Sequence, residues 1–344
     1  MRVRLTTNAA VSAVLTLAMV VAISAQGRHL IKQISIPGDY GWDYASADTE
    51  GRRLYVGHVR EVTVVDLDTG SVVGRVGGGT NMHGAAVARP FNRGFISQTN
   101  PESGSVVIFD LKTLAKLGEV TVGKDPNLIL FDIKTGRVFT ADRGDSRVSA
   151  IDAKTGMLVG AVDNLGGRTE HGASDKKGHL FLNLQDKGLL LRIDAQALKV
   201  LDTWSVAPSC GQPSAMDMDR EHDRVFIGCR SGVFAAVDAR TGRVIATMPI
   251  GPGVDALEFD VERRLIYVSS GGDGGSLSVF HQDTPDQYSL VEKVATAAGA
   301  RTLAVDQQTG YVYLPVGQFA PATSGAAGRG PAVPGTFRVL VFGQ

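Results

Sequence analysis

The chain is poor in the features that announce most chemistries. It has only two cysteines, aromatic residues make up 6% of it, and its 35 basic and 35 acidic residues cancel. No block or stripe of Lys and Arg appears, which argues against electrostatic capture of nucleic acid. No CxxC or CxxCH pair is present, so thioredoxin-type redox chemistry and covalent haem attachment are excluded. No GxSxG elbow, phosphate-binding loop or dinucleotide fingerprint occurs, and no Ser, His and Asp stand in a recognisable order. We therefore expect no nucleophilic catalysis and lean towards a chain that is not an enzyme. Long apolar runs are also absent, apart from residues 9–23. That run follows Arg2 and Arg4 and precedes Ile23-Ser24-Ala25. It is short for a membrane span and reads as an export signal, cleaved after Ala25. The alternative is an uncleaved anchor. The expected mature chain, 26–344, is periplasmic or secreted, near neutral, monomeric and without a membrane span.

What is abundant is repetition. Residues 62–76, VTVVDLDTGSVVGRV, read as strand, turn, strand. Asp can hydrogen-bond the backbone just ahead of it and Gly accepts positive φ, so Asp-x-x-Thr-Gly is a turn with a mechanism. The phrase returns around Asp110, Asp152, Asp194 and Asp238, and in degenerate form at His281, at steps of 44, 42, 42, 44 and 43 residues. A period in the forties marks a propeller with four short strands per blade. A second phrase lies upstream: Asp48 with Tyr55, Asp132 with Phe139, Asp219 with Phe226, Asp260 with Tyr267 and Asp306 with Tyr313. Each reads as the hairpin of a blade's first two strands.

Together the phrases predict an all-β fold in one domain, a seven-bladed β-propeller with four antiparallel strands per blade. The last blade has three strands, ending at residues 338–342. Its outer strand is expected from residues 30–36, so that N-terminal pairing with the C-terminal blade closes the ring and removes free edges. Gly77-Gly78-Gly79 is expected to end an outer strand. One stretch breaks the period: 318–336, rich in Pro, Gly and Ala, reads as a long loop. It is either a tolerated insertion or a flap over the rim. Cys210 and Cys229 are expected at that same rim, within one blade. In an exported chain a disulfide between them follows, the alternative being two unpaired thiols.

The chain resembles the YncE-like, or YVTN-repeat, family of exported bacterial propellers. The resemblance rests on the hydrophobic-Asp-x-x-Thr-Gly phrases, Trp42-Asp43-Tyr44, His83-Gly84, Asp125-Pro126-Asn127, the Cys210 to Cys229 segment with Pro213, Gly253-Val254-Asp255 and Gly299-Ala300-Arg301-Thr302. It covers nearly all of the mature chain. His281 and Gly343 depart from it where Asp is expected. It implies a binding or scaffold propeller and carries over no catalytic motif.

Propellers present ligands with the mouth of the central channel. Counting back from each hairpin Asp places Asp43, Asn127, Ser214, Asp255 and Arg301 at the start of the inner strands, with His83 or Gly84 and His171 at the same level. Loops after the second strands add His58, Gln98, Asp142, Arg143, Asn183 and Gln185. The candidate rim is thus Trp42, Asp43, His58, His83, Asn127, Asp142, Arg143, Glu170, His171, Asp255 and Arg301. It would take a small ligand or a protein partner. Solvated turn positions favour the same residue types without any ligand. Two alternatives remain at this point. A divalent metal held by Asp43, Asn127, Glu170 and Asp255 would make a lactonase-like hydrolase. Copper or redox-partner handling would use His58, His83 and His171.

Overall fold

The repeated apolar phrases form strands because each sheet is covered on both sides by its neighbours. Middle strands such as Gly104–Asp110, Arg224–Cys229 and Leu265–Ser270 are buried almost throughout. Outer strands such as Lys199–Ser205 and Gln287–Ala295 carry exposed and half-buried residues. The computed structural model describes residues 27–38, 41–321 and 330–344. The expected export signal and the tip of the 318–336 loop lie outside the described residues.

Five sheets have four antiparallel strands, and a sixth has seven. In the larger sheet one strand of 17 residues, Val72–Ala88, does two jobs. Its first part pairs outward with Val59–Asp66 (Val62 opposite Val76). Its last part pairs with Arg93–Thr99 (Ala86 opposite Phe95). The strand therefore runs on through Gly77-Gly78-Gly79, where an end was expected. The innermost strands pack on one another in order: Ala45–Asp48, the end of Val72–Ala88, Pro126–Asp132, Thr169–Ser174, Pro213–Asp219, Val254–Asp260 and Ala304–Asp306. The last returns to the first, enclosing a central channel.

Each hairpin Asp opens a two-strand pair, with Asp132 opposite Arg137 and Asp219 opposite Arg224. The aromatic that follows (Tyr55, Phe139, Phe226, Tyr267, Tyr313) is buried between sheets. In the repeated turn, Asp66 Oδ1 accepts from the Thr69 backbone N–H at 2.7 Å and from its hydroxyl at 2.9 Å. Gly70 takes φ +72°, a conformation open to Gly at little cost. Asp110 with Thr113 and Asp152 with Thr155 repeat these bonds. The Thr69 backbone N–H, then its hydroxyl, hold the Asp66 carboxyl below its usual range.

His29–Ser35 pairs antiparallel with Arg338–Gly343, Gln33 lying opposite Leu340. Arg28 reinforces this junction through Glu292 (2.8 Å) and the Tyr267 hydroxyl (2.9 Å). Cys210 and Cys229 are joined as a disulfide, their Cα atoms 5.4 Å apart. The bridge ties the loop before Pro213–Asp219 to the end of Arg224–Cys229.

Candidate binding rim and channel

The loops that lead into the inner strands, and those that leave the second strands, meet at one mouth of the channel. There the charged side chains close into a cycle. His83 Nδ1 lies 2.7 Å from Asp43 Oδ2. A carboxylate can only accept, so Nδ1 carries the proton of this bond. His83 Nε2 meets Thr99 Oγ1 at 2.8 Å, and Thr99 reaches Asp125 Oδ1 at 3.2 Å. Arg143 Nε donates to Asp125 Oδ2 at 2.6 Å. Arg143 Nη1 lies 3.7 Å from Glu170 Oε2, and Arg230 Nη2 lies 3.9 Å from Glu170 Oε1. Arg230 donates to Asp255 Oδ1 at 3.0 Å, and Arg301 Nε donates to Asp255 Oδ2 at 2.9 Å. Arg301 Nη2 reaches Asp43 Oδ1 at 3.5 Å, which completes the circuit. Acid and base alternate all the way round.

Backbone geometry permits the close approach. A Cβ on Gly271 would stand 3.0 Å from Arg301 Cβ, tighter than an ordinary contact, so Gly lets these two loops touch without displacement. Backbone bonds clamp the same loops: Gly271 N–H to Gly253 O, and Gly299 N–H to Gly271 O. A depression of about 480 Å³ lies beside Arg230, Asp255 and Arg301, walled by Gly253, Gly271, Gly272 and Gly299.

The cycle shifts the groups it holds. Burial, and then the Asp255 charge, push the Glu170 carboxyl up. Burial opposes the Arg301 and Arg143 charges, yet both guanidiniums are held more firmly protonated, Arg301 by Asp255 and Asp43, Arg143 by Asp125. Some capacity is left over. Glu170 is 1% exposed, yet its Oε2 has no hydrogen-bond partner, and neither does Arg301 Nη1.

One layer further in, Asn127 donates to the Tyr44 hydroxyl at 3.2 Å and the Tyr44 and His171 rings meet at 5.5 Å. Burial lowers the His171 pKa and raises that of Tyr44, whose phenol also faces Asp255, Asp43 and Glu170. Below this layer a cavity of about 250 Å³ runs down the channel. Its wall is apolar at the waist, with Leu128, Met216, Leu257 and Leu303, and polar again at the far mouth, with Lys176, Asp217, Arg220 and Glu258. Asp255 and Glu258 stand three residues apart on one strand, about 10 Å at the rise of a β-strand.

The structure brings Asp43, His83, Arg143, Glu170, Asp255 and Arg301 into the cycle, and Asn127 and His171 just below it. Trp42 flanks it: Arg301 lies over its ring at 5.9 Å, while Phe319 and Phe337 stack on it at 5.1 and 5.7 Å. Phe319 belongs to the described base of the 318–336 loop, and through it that base touches the rim at Trp42. Two expected rim residues stand elsewhere. His58 is fully buried and stacks on Phe337 at 4.4 Å. Asp142 turns into its own sheet, accepting from Ser149, Thr140 and the Gly123 N–H, and burial pushes its carboxyl up to about 6. The reason is local: Thr140, two residues back on the same strand, and Ser149, which pairs with Thr140 on the next strand, both offer Asp142 a hydroxyl. Gln98 likewise bonds Ser105 and Glu119 of its own sheet, and Asn183 points to Ala215 O.

Asp125, Arg230 and Thr99 are the members that the expected rim does not include. A forward count finds two of them. Thr99, Arg143, Gln185 and Arg230 all stand four residues past the buried aromatic of their hairpin, at Phe95, Phe139, Phe181 and Phe226. Among the described residues no group of three or more His, Cys, Asp or Glu side chains is placed to hold a metal. His58, His83 and His171 do not converge. Asp43 and Asp255 bond to Arg301, and Glu170 is ringed by Arg143, Arg168 and Arg230 at 3.7 to 3.9 Å.

Several solved structures share the architecture. The structure of U3-55K superposes with a TM-score of 0.72 at 9% identity, covering 90% of this chain and 97% of that one. A chain of the mitotic checkpoint complex gives 0.72 at 12% identity over 95% and 99%. Hydrazine synthase of Kuenenia stuttgartiensis gives 0.69 at 17% identity over 81% and 94%. RRP9 WD40 repeats are similar in the same way. These likenesses show a β-propeller with WD40-like sheets, and at such identities they show the fold alone. No protein-family model matches the chain, and no curated protein matches it in sequence.

Proposed function

We propose that this chain is an exported, YncE-like binding propeller of one domain, 26–344, whose charged rim receives a small ligand bearing both a cationic and an anionic group. Counting Val72–Ala88 as the outer strand of one unit and the inner strand of the next makes the units seven. The reading rests on the alternating cycle, and above all on its unmet members. Glu170 Oε2 is a buried acceptor whose arginine neighbours stay at 3.7 Å, and Arg301 Nη1 is a buried donor; neither has a hydrogen-bond partner among the described residues. Buried polar groups are nearly always satisfied, so two such atoms on one rim call for a molecule that supplies the missing bonds. An ammonium would serve Glu170 and a carboxylate would serve Arg301, as in an amino acid or short peptide. The neighbouring arginines are already fixed by Asp125 and Asp255, which lowers the cost of ordering them on binding.

The test is a thermal-shift and calorimetric titration with dipeptides, using the matching N-acetylated and C-amidated compounds as controls. We expect stabilisation by free dipeptides only, lost in Glu170→Gln and in Arg301→Met. Equal behaviour of free and blocked compounds, or binding unchanged in both variants, would overturn the reading.

A further inference from the structure

Among the described residues, no hydrogen bond or ion pair joins the polar groups of the far mouth to the rim's cycle. We propose that this mouth and the waist behind it form a second site, which takes a small aliphatic carboxylic acid, its chain in the waist and its carboxylate at Lys176.

Three observations carry this. First, the cavity has the right character. Its waist is lined by Leu128, Met216, Leu257 and Leu303 beside the small Ala85, Ala173 and Ala256. Its volume of about 250 Å³ equals roughly eight waters at ~30 Å³ each, room for a short acyl chain but not for a drug-sized molecule. Apolar space of this kind is filled better by hydrocarbon than by water.

Second, the charges at the mouth do not cancel. Arg220 is committed: it donates to Ser174 O, Met218 O and Asp217 Oδ1 at 2.9, 3.0 and 3.1 Å. Asp217 is committed too, since its other oxygen accepts from the Phe259 N–H at 2.9 Å. Glu258 accepts from the Val305 N–H at 2.9 Å. Burial, and then the Asp217 charge, push its carboxyl up to about 8, so it is largely neutral at pH 7. What remains is the ammonium of Lys176, which has no hydrogen-bond or ion-pair partner among the described residues. Its neighbour Arg220 is also cationic. Third, a neutral carboxyl can donate as well as accept. Glu258 in that form offers the guest carboxylate an O–H in the cavity that Lys176 also lines. The partner chemistry is therefore an anion at the end of an apolar body.

The experiment is isothermal titration of octanoate, octanol and octylamine into the mature protein at pH 7. Octanoate should bind and raise the melting temperature, and the other two should be at least tenfold weaker. Lys176→Met should lower octanoate affinity at least tenfold, while Lys154→Met, on an exposed turn, should not. Ala256→Leu narrows the waist and should shift the preference from octanoate towards butyrate. The groups facing Glu258 are Asp217, Arg220 and the Val305 N–H, with Lys176 at the same mouth and Glu50 beyond it. As pH rises through 8, ionised Glu258 repels the guest, so affinity should fall. The fall should be smaller in Glu258→Gln, with any remainder due to Lys176. Binding of octanol as tight as that of octanoate would overturn the anion site. So would octanoate binding unaffected by Lys176→Met, and so would its absence.

Discussion

The two mouths of one channel solve the problem of polar groups in a confined space in opposite ways. At the rim every charge has an opposite neighbour drawn from another loop, and the circuit returns on itself through Asp43, Asp125, Glu170 and Asp255. At the far mouth the charges are few, Lys176 is uncommitted and Glu258 is largely neutral. The rim is therefore rigid through mutual neutralisation, and removing one member should strand its partners. The far mouth carries an electrostatic burden that removal should relieve. A carboxylate lost at one end and a carboxylate lost at the other should change stability in opposite directions.

The largest effect is expected at Asp255, because Arg230 and Arg301 both bond to it. Asp255→Ala removes the carboxylate that two facing guanidiniums share and leaves each only its longer carboxylate contact, Arg301 with Asp43 at 3.5 Å and Arg230 with Glu170 at 3.9 Å. Breaking a buried pair from one side costs about 3–5 kcal/mol, and we expect about 3 kcal/mol here because Arg230 keeps some contact with water. Urea unfolding at pH 7 measures it directly. A loss under about 0.5 kcal/mol, the range of an ordinary surface substitution, would show that the cycle is decorative. Arg301→Met in the Asp255→Ala background should cost little more, since the two share one interaction.

At the far mouth Glu258→Gln should stabilise the protein. The folded carboxyl titrates near 8, against about 4.3 for an unfolded glutamate. A raised carboxyl is favourable in its neutral form, so no penalty exists below pH 4. The penalty grows as pH rises between these values and is complete above 8. At pH 7 the variant should gain at most about 4 kcal/mol, and at pH 4 it should gain almost nothing. A variant equal to the wild type at both pH values would mean that Glu258 ionises freely and that the two mouths do not differ as described.

The two regions also differ in how far they could be read from the residues. The turns and hairpins were legible because their chemistry is local: Asp66 bonds Thr69 three positions on, and the signal repeats with the blade. From that frame, counting back reached Asp43, His83, Asp255 and Arg301, since strand starts share a level. Reading the loops after the second strands overshot at Asp142, where Ser149 in the next strand supplies a closer partner than the channel does. It missed Arg230, which carries no mark of its own beside Cys229 except its distance from Phe226. The far mouth was not legible at all. Lys176, Arg220 and Glu258 sit at the ends of three separate inner strands or their turns, and their meaning comes only from facing one apolar cavity.

The smallest effect sharpens the comparison by falling on neither mouth. Asp66→Ala removes the carboxylate that caps the first repeated turn, on the outside of the propeller. The turn is accessible to water, so the loss should be about 1 kcal/mol, the net worth of a hydrogen bond. Because the folded carboxyl lies below its ordinary value, its contribution is present above about pH 4. It disappears as pH falls through the folded value. Wild type and variant should thus differ at pH 7 and converge towards pH 2. That is opposite in sign to Glu258→Gln, which gains where Asp66→Ala loses. If the pH 7 loss approached that of Asp255→Ala, the turns and not the rim would carry the electrostatic stability, and the contrast between the two mouths would be secondary to the repeat itself.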